Sequence, residues 1–198
     1  MIPAPTKIPL LLRPAIWLAR RMTGKDPRVA RMLAHFPKAA VAGGLLELLS
    51  AHAPGDLDAR TLKLARLAAS VTAGCPFCID MNANEHDVAG ISRAELGAIV
   101  EREPTRVTFT ARELAVVELA IAMSSTPVRI GDELRARLTA ELTPREIVAL
   151  TTAIAQVNYW ARLNQSLDIP AAGFFFAEGD ACLALPDLHT GPMAPKRI

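Results

Sequence analysis

Two cysteines stand two residues apart in the segment Gly74-Cys75-Pro76-Phe77-Cys78, and this spacing is the strongest chemical signal in the chain. Gly74 can end one helix and Pro76 suits the first position of the next, which puts both thiols at a helix N-terminus. Unpaired backbone N–H groups and the positive end of the helix dipole favour a thiolate there. Two thiols so close can also exchange between a dithiol and a disulfide without a large backbone movement. The spacing therefore indicates redox chemistry.

Two other uses of the pair stay open at this point. The cysteines could be two small buried hydrophobic residues, or they could be half of a zinc site. A four-ligand zinc site would need further ligands from Cys182, which is remote in the sequence, or from scattered histidines. We therefore expect no metal and no cofactor. The dipole argument alone favours Cys75 as the more reactive thiol.

The bulk properties are typical of a single-domain helical protein. The chain has 198 residues, of which 51% are hydrophobic but only 5% aromatic, so Ala, Leu, Val and Ile must build the core. No apolar run approaches the roughly 18 residues of a membrane span, and no cleavable signal peptide is evident. Three cysteines are too few for a disulfide framework, and a lone Cys-x-x-Cys pair is more typical of a reducing compartment. These features predict a cytoplasmic protein without a membrane span.

The N-terminal segment, residues 1–34, is basic and amphipathic. Residues 1–40 carry eight lysines and arginines against the single acid Asp26, although the net charge of the whole chain is only +2. Such a segment usually packs its apolar face on the protein or on a neighbouring subunit and leaves its charges in water. No nucleic-acid-binding motif accompanies it, so we expect no nucleic-acid partner.

Helix boundaries are marked clearly along the chain, and no segment alternates as a strand would. Ser92, Thr110 and Thr143 are each followed three residues later by glutamate, which predicts a capping box at three helix starts. An apolar seam with helical spacing runs from Ile147 to Ala161. The sequence predicts an all-α fold with an irregular tail over 169–198. We expect helices near 14–22, 27–50 (broken around Pro37), 58–73, 76–89, 92–102, 110–123, 130–140 and 144–167.

The stretch 57–90, centred on LKLARLAASVTAGCPFCIDMNAN, resembles the core motif of the carboxymuconolactone decarboxylase family, in particular its AhpD-like branch. The segments 142–150 and 158–164 resemble the long C-terminal helix of that family, and the similarity covers roughly residues 35–168. The resemblance implies an AhpD-like helical bundle that forms homo-oligomers, usually trimers or hexamers. The seam at 147–161 and the apolar N-terminal segment also favour an oligomer. Together they supply more apolar helix faces than a chain of this length needs for its own core.

The same resemblance implies a role for each cysteine. Redox-active members of the family use the pair as a thiol peroxidase or disulfide reductase, with Cys78 attacking and Cys75 resolving. The family motif also has a glutamate twelve residues before the first cysteine and a histidine four residues after the second, which relay protons. Lys63 and Asn82 occupy those two positions here. Lys63 could stabilise a thiolate electrostatically and Asn82 could donate an amide hydrogen bond to it, but neither shuttles protons near pH 7.

The sequence thus predicts a cysteine-based oxidoreductase that acts on a small-molecule peroxide or disulfide and is reduced by an external thiol. One alternative is a catalytically silent helical oligomer that serves as a binding module. Another is a decarboxylase-like enzyme of the same family, which the cysteine pair disfavours because the decarboxylases typically lack it. The sequence identifies neither the substrate nor the reductant, and it gives no role to Cys182.

Overall fold

The computed structural model describes residues 2–48 and 57–175, and within those ranges the chain is helical and contains no strand. The all-α prediction is confirmed. Two short 3₁₀ turns, Leu10–Leu12 and Pro104–Arg106, accompany the α-helices. The α-helices are α1 (Arg13–Thr23), α2 (Arg28–Leu33), α3 (Pro37–Leu46), α4 (Ala59–Ala73), α5 (Pro76–Ala83), α6 (Arg93–Val100), α7 (Ala111–Ser124), α8 (Asp132–Glu141) and α9 (Pro144–Ser166).

Helix α4 is the central element, and it packs against α5, α6, α7 and α9. The Asp58 side chain caps its N-terminus by accepting the Thr61 N–H at 2.7 Å. From Leu64 to Val71 every residue is buried, so this helix is surrounded by protein along two turns. Because α5 follows it after only two residues, α4 fixes the place of the cysteine pair.

The apolar seam of α9 lies inside the molecule. Leu150, Ile154, Val157 and Ala161 are buried, and the first three belong to the main hydrophobic core. The predicted helical periodicity is confirmed, but the seam packs in the core of the chain and is not available to contact a second subunit. An oligomer interface has to use other surfaces.

All three predicted capping boxes are present in the structure. In each, the Ser or Thr side chain accepts the N–H of the glutamate three residues on, and that glutamate accepts the N–H of the capping residue. Arginines then join the boxes to other elements. Arg60 of α4 binds both Glu95 and Glu113, so one guanidinium ties α4 to the starts of α6 and α7. The Arg60 hydrogen bond is the main reason that the pKa of Glu95 falls to about 2.

The predicted break at Pro37 and the predicted length of the helix after Cys75 have different outcomes. The expected break at Pro37 is confirmed, because Phe36 caps α3 and Pro37 is its first residue; residues 49–50 of that predicted helix lie outside the described residues. The helix expected over 76–89 is wrong in length, since α5 ends at Ala83. Asn84 is extended, Glu85 has φ +54°, and residues 84–90 form turns.

The N-terminal helices lie over the cysteine end of the bundle. Helix α1 has no buried residue, although Ala15, Ile16 and Ala19 on one face line a cavity shared with α5 and α9. Across the described part of the chain, no helix is both long and apolar enough to cross a membrane. The predicted division of the chain into an N-terminal segment (1–34), a helical domain (35–168) and a tail (169–198) stays a prediction.

Candidate functional site

The cysteine pair sits at the junction between α4 and α5. Gly74 ends α4 with φ +67°, a left-handed conformation that glycine adopts without steric cost. Cys75 is the N-cap of α5, its Sγ accepts the Cys78 N–H at 3.2 Å, and Pro76 is the first helical residue. The two sulfurs are bonded as a disulfide with the Cα atoms 5.2 Å apart. The local geometry is the one that the sequence predicted.

The disulfide is enclosed by protein. Cys75 is 0% exposed and Cys78 is 1% exposed, and Ala161 of α9 completes a small buried cluster with them. Phe77 and Trp160 pack against this cluster. A molecule that reacts with the sulfurs must therefore enter through a cavity or wait for a local opening.

Asn164, near the C-terminal end of α9, is the polar side chain that reaches a sulfur. Its Nδ2 donates to Cys78 Sγ at 3.7 Å, and the residue is 1% exposed. Its Oδ1 is buried and has no hydrogen-bond partner among the described residues. Nothing in the sequence singles out Asn164. Only the packing of α9 against α5 brings it to the cysteine.

Asn82 is buried one helical turn after Cys78 but does not bind its sulfur. Its Nδ2 donates to the backbone carbonyl of Cys78 and to Ser70 Oγ, both at 2.9 Å. Its Oδ1 accepts Arg66 Nε at 3.1 Å. The expected amide–thiolate contact is therefore corrected: both ends of the Asn82 amide are already paired, and α9 supplies the donor to sulfur instead.

Lys63 lies beside the other end of α5. Its Nζ donates to the carbonyl of Asn84, the residue that ends this helix, at 2.7 Å. Eight helical residues span about 12 Å, so Asn84 is well removed from the N-cap Cys75. Burial is the main cause that lowers the pKa of Lys63, and the Glu85 carboxylate opposes it. The role suggested for Lys63 at the sulfur rests on the family resemblance alone.

Glu47, which directly follows α3, is a candidate that the sequence reasoning missed. Its carboxylate accepts Trp160 Nε1 at 2.9 Å and Gln156 Nε2, both from α9. It also faces the Arg66 guanidinium at 3.5 Å. Glu47 is the sole acid between Asp26 and Asp56 in the sequence, a signal that could have drawn attention to it. Glu47 and Asn82 therefore bind the same arginine.

A cavity of about 380 Å³ lies between the N-terminal helices and the cysteine end of the bundle. Its walls are mostly apolar, with contributions from α1, α2, α3, α5 and α9. Phe77 and Trp160, which pack on the disulfide, also line the cavity, as do Glu47 and Asn164. The volume falls within the range of small-molecule sites. A mostly apolar compartment thus adjoins Asn164, the residue that contacts Cys78.

Asp80 anchors the segment that follows α9. This buried carboxylate accepts the backbone N–H groups of Ala172, Phe174 and Phe175 at 2.9 to 3.0 Å. Residues 172–175 thus form a strap that returns to α5 after α9. Phe174 of this strap lies edge-on to Phe77 and lines the cavity. The tail beyond Phe175, with Cys182, lies outside the described residues.

In residues 2–48 and 57–175 no three His, Cys, Asp or Glu side chains are grouped so that they could hold a metal ion. His86 is half-buried in the turn after α5, where its ring packs edge-on against Phe175. The polar side chains described above around the disulfide are two amides, one carboxylate and one guanidinium, from Asn82, Asn164, Glu47 and Arg66.

Known proteins share both the sequence and the fold. Residues 27–122 match the carboxymuconolactone decarboxylase family, and this region includes both cysteines. The Escherichia coli (strain K12) protein YnjA, which is uncharacterized, is 33% identical over 176 residues, covering 87% of this chain and 94% of YnjA.

Two solved structures support the same assignment. ATU0492 from Agrobacterium tumefaciens, a protein of unknown function and candidate AhpD antioxidant-defence protein, is 27% identical with a TM-score of 0.62. The match covers 70% of this chain and 94% of that one. An AhpD-core, peroxidase-related protein from Ralstonia eutropha JMP134 is 16% identical with a TM-score of 0.73, covering 88% and 93%, and shares the fold. The chain belongs to the carboxymuconolactone decarboxylase family and has the AhpD-like helical fold.

Proposed function

We propose that this protein is a cysteine-based oxidoreductase that cycles Cys75 and Cys78 between dithiol and disulfide. One observation carries the proposal. The two cysteines are bonded at the start of α5, and Cys78 contacts Asn164, a residue that also lines the apolar cavity. A purely structural disulfide would need no adjoining compartment.

The reaction that suits this site best is the reduction of an organic hydroperoxide. The Cys78 thiolate attacks the terminal oxygen, the O–O bond breaks, and the alkoxide takes a proton and leaves as the alcohol. Cys78 is then a sulfenic acid. The Cys75 thiolate attacks that sulfur, hydroxide leaves and is protonated to water, and the disulfide forms. An external thiol reduces the disulfide by exchange and restores both cysteines.

The cavity favours Cys78 as the attacking residue and an apolar molecule as the substrate. Asn164 and Phe77 connect the cavity with Cys78, whereas the Cys75 sulfur accepts a backbone N–H from the first turn of α5. The mostly apolar walls suit an alkyl or aryl group. Because the disulfide is buried, a small thiol that fits the cavity is a suitable reductant. A reducing compartment such as the cytoplasm would supply one, and that location stays a prediction.

Glu47 is our candidate for the group that takes the proton from the Cys78 thiol as the thiolate forms and then gives it to the leaving alkoxide. Lys63 and Asn82 replace the carboxylate and imidazole of the family relay, so another group has to supply the proton. Glu47 lines the same cavity as Asn164 and is held by Trp160 and Arg66. General acid catalysis typically contributes at least about a hundredfold. Glu47→Gln should therefore reduce peroxide turnover by about that factor.

Steady-state consumption of cumene hydroperoxide with dithiothreitol as reductant tests the proposal. Wild-type protein should turn over, Cys78→Ser should be inactive, and Cys75→Ser should turn over only as fast as dithiothreitol reduces the Cys78 sulfenic acid directly. Gly44→Phe fills the cavity, because Gly44 lines it and an added Cβ meets no atom within 4 Å. Gly97→Phe is the matched control: Gly97 is also helical with open space at Cβ but lies on α6, outside the cavity wall.

The outcome also separates the alternatives. Turnover that Gly44→Phe reduces and Gly97→Phe does not would support the peroxidase. Reduction of a small disulfide without peroxide consumption would favour a disulfide reductase at the same cysteines. A chain that binds cumyl alcohol in the cavity but whose cysteines never turn over would be a silent binding module, and the proposal would be wrong. Ring decarboxylation remains disfavoured by the cysteine pair.

A further inference from the structure

We propose that Asn164 is a catalytic residue that favours the reduced cysteine pair, by donating its amide N–H to the Cys78 thiolate. The inference deepens the proposed function and rests on it, because it assigns a residue to the same sulfur. It begins from the one side-chain hydrogen bond described for Asn164, the 3.7 Å contact between Nδ2 and Cys78 Sγ.

Packing alone does not explain a buried asparagine with this environment. Asn164 is 1% exposed, yet its Oδ1 has no partner within the described part of the chain. Leaving such an atom unpaired is unfavourable, because the buried oxygen has lost its hydrogen bonds to water. Asn82 provides the contrast, since its amide binds Ser70, Arg66 and a backbone carbonyl. An amide whose single partner is sulfur stabilises the sulfur and not the surrounding fold.

Reduction changes what the Asn164 amide can bind. A disulfide sulfur is a weak acceptor, whereas a thiolate is charged and accepts a stronger, charge-assisted bond from the amide N–H. Reduction also adds protons to sulfur, and an S–H can donate to the unpaired Oδ1. Two electrons and two protons convert the disulfide into two thiols, one of which then ionises. Each of these products gives the amide a better partner than the disulfide does, so Asn164 shifts the equilibrium toward the reduced pair.

The attacking role of Cys78 follows from the same contact. Cys75 already receives the Cys78 backbone N–H, as an N-cap does. Cys78 receives its donor from α9 instead, through Asn164, which also lines the cavity.

Alkylation of the reduced protein by iodoacetamide, followed as a function of pH on the peptide that carries Cys78, tests the thiolate part. This reaction needs no turnover, so it is independent of whether peroxide is the substrate. Asn164→Ala should lower the alkylation rate at pH 7 about tenfold, by moving the ionisation midpoint upward. Asn164→Asp, which keeps the shape, should lower it further because its carboxylate faces the thiolate.

The second measurement is the dithiol–disulfide equilibrium of the cysteine pair with glutathione. Asn164→Ala should shift the equilibrium constant about tenfold toward the disulfide. Asn158→Leu is the matched control, because Asn158 lies on the same helix but binds Ser124 Oγ and the Ile154 carbonyl. It should alter neither measurement.

A packing role for Asn164 predicts a different pattern. Both Asn164 variants would then lose stability, while the ionisation midpoint and the glutathione equilibrium would stay at their wild-type values. That result would overturn the inference, and so would an identical ionisation midpoint in Asn164→Ala and Asn164→Asp. Absence of peroxide turnover together with the expected midpoint shifts would instead overturn the proposed peroxidase and leave the Asn164 assignment standing.

Discussion

Each sulfur of the pair has its own polar neighbour, and this difference determines the chemistry that we assign. Cys75 accepts a backbone N–H at the helix start, and Cys78 accepts the Asn164 amide from α9. The first contact could be predicted because Gly, Cys and Pro mark a helix boundary locally. The second could not be predicted, since residues 78 and 164 meet only through the packing of α5 on α9. For the same reason Asn82 was assigned to sulfur although its amide binds elsewhere.

The buried Asn82 network makes a prediction for stability. Asn82→Leu removes the acceptor of Arg66 Nε and the donor to Ser70 Oγ, so the buried site loses two side-chain hydrogen bonds. We expect the free energy of unfolding to fall by about 2 kcal/mol. Urea denaturation measures it. Asn84→Ala, two residues on, should change the value by less than about 0.5 kcal/mol, and equal effects of the two substitutions would contradict the network.

Helix starts are the elements that the sequence predicts best, because a capping box is a short-range pattern. All three boxes formed, and the break at Pro37 did too. The end of α5 was missed since no glycine or proline marks Ala83, and the chain turns there through a left-handed Glu85. The arginine that joins two boxes was also not foreseen, because Arg60 lies 35 residues before Glu95.

The joined capping boxes predict a specific acid sensitivity. The pKa of Glu95 is about 2 in the folded protein, chiefly because Arg60 donates to it, and the ordinary value is 4.5. A lowered folded pKa stabilises the protein fully above pH 4.5, and that contribution is lost as pH falls toward 2. Urea denaturation at pH 6 and pH 3 should show a loss of about 1 kcal/mol from this residue. In Arg60→Leu the difference between the two pH values should shrink; an unchanged difference would contradict the pairing.

The strap after α9 gives a prediction for local opening. Asp80→Ala removes the acceptor shared by the Ala172, Phe174 and Phe175 amides. Hydrogen exchange at these three amides should speed up at least about tenfold, while the core of α9 keeps its protection. Asp87→Ala, in the exposed turn after α5, should leave the strap unchanged. Protection of the strap that survives in Asp80→Ala would mean that other contacts hold it.

At the scale of the whole molecule, the apolar surface is concentrated at the N-terminal end. Most of the large apolar side chains that are exposed in the described residues lie within 2–48, with Trp17 63% and Met22 78% exposed. Contiguous apolar patches of this kind mark interaction surfaces. We therefore propose that α1 to α3, and not the α9 seam, form the oligomer interface. The exposed side chains of this region are Ile2, Leu10, Leu11, Trp17, Leu18, Met22, Phe36, Val41, Leu45 and Leu48.

Light scattering tests this location of the interface. The wild-type mass should be three or six times 21.2 kDa. Glutamates placed together at Leu18 and Met22 should lower the mass, because burying two charges in an apolar interface is unfavourable. The control places glutamates at the exposed Val88 and Val128, and its mass should equal that of the wild type. A wild-type mass of 21.2 kDa would contradict the oligomer.

The central claim is that Cys78 attacks the substrate and Cys75 resolves the product as a reversible disulfide. The most direct measurement adds equimolar cumene hydroperoxide to reduced protein in the presence of dimedone, which traps sulfenic acid, and maps the cysteine peptides. We predict a Cys75–Cys78 disulfide in the wild type and dimedone on Cys78 in Cys75→Ser. Dimedone on Cys75 in Cys78→Ser, with none on Cys78 in Cys75→Ser, would reverse the roles. Cysteines that stay reduced throughout would contradict the account.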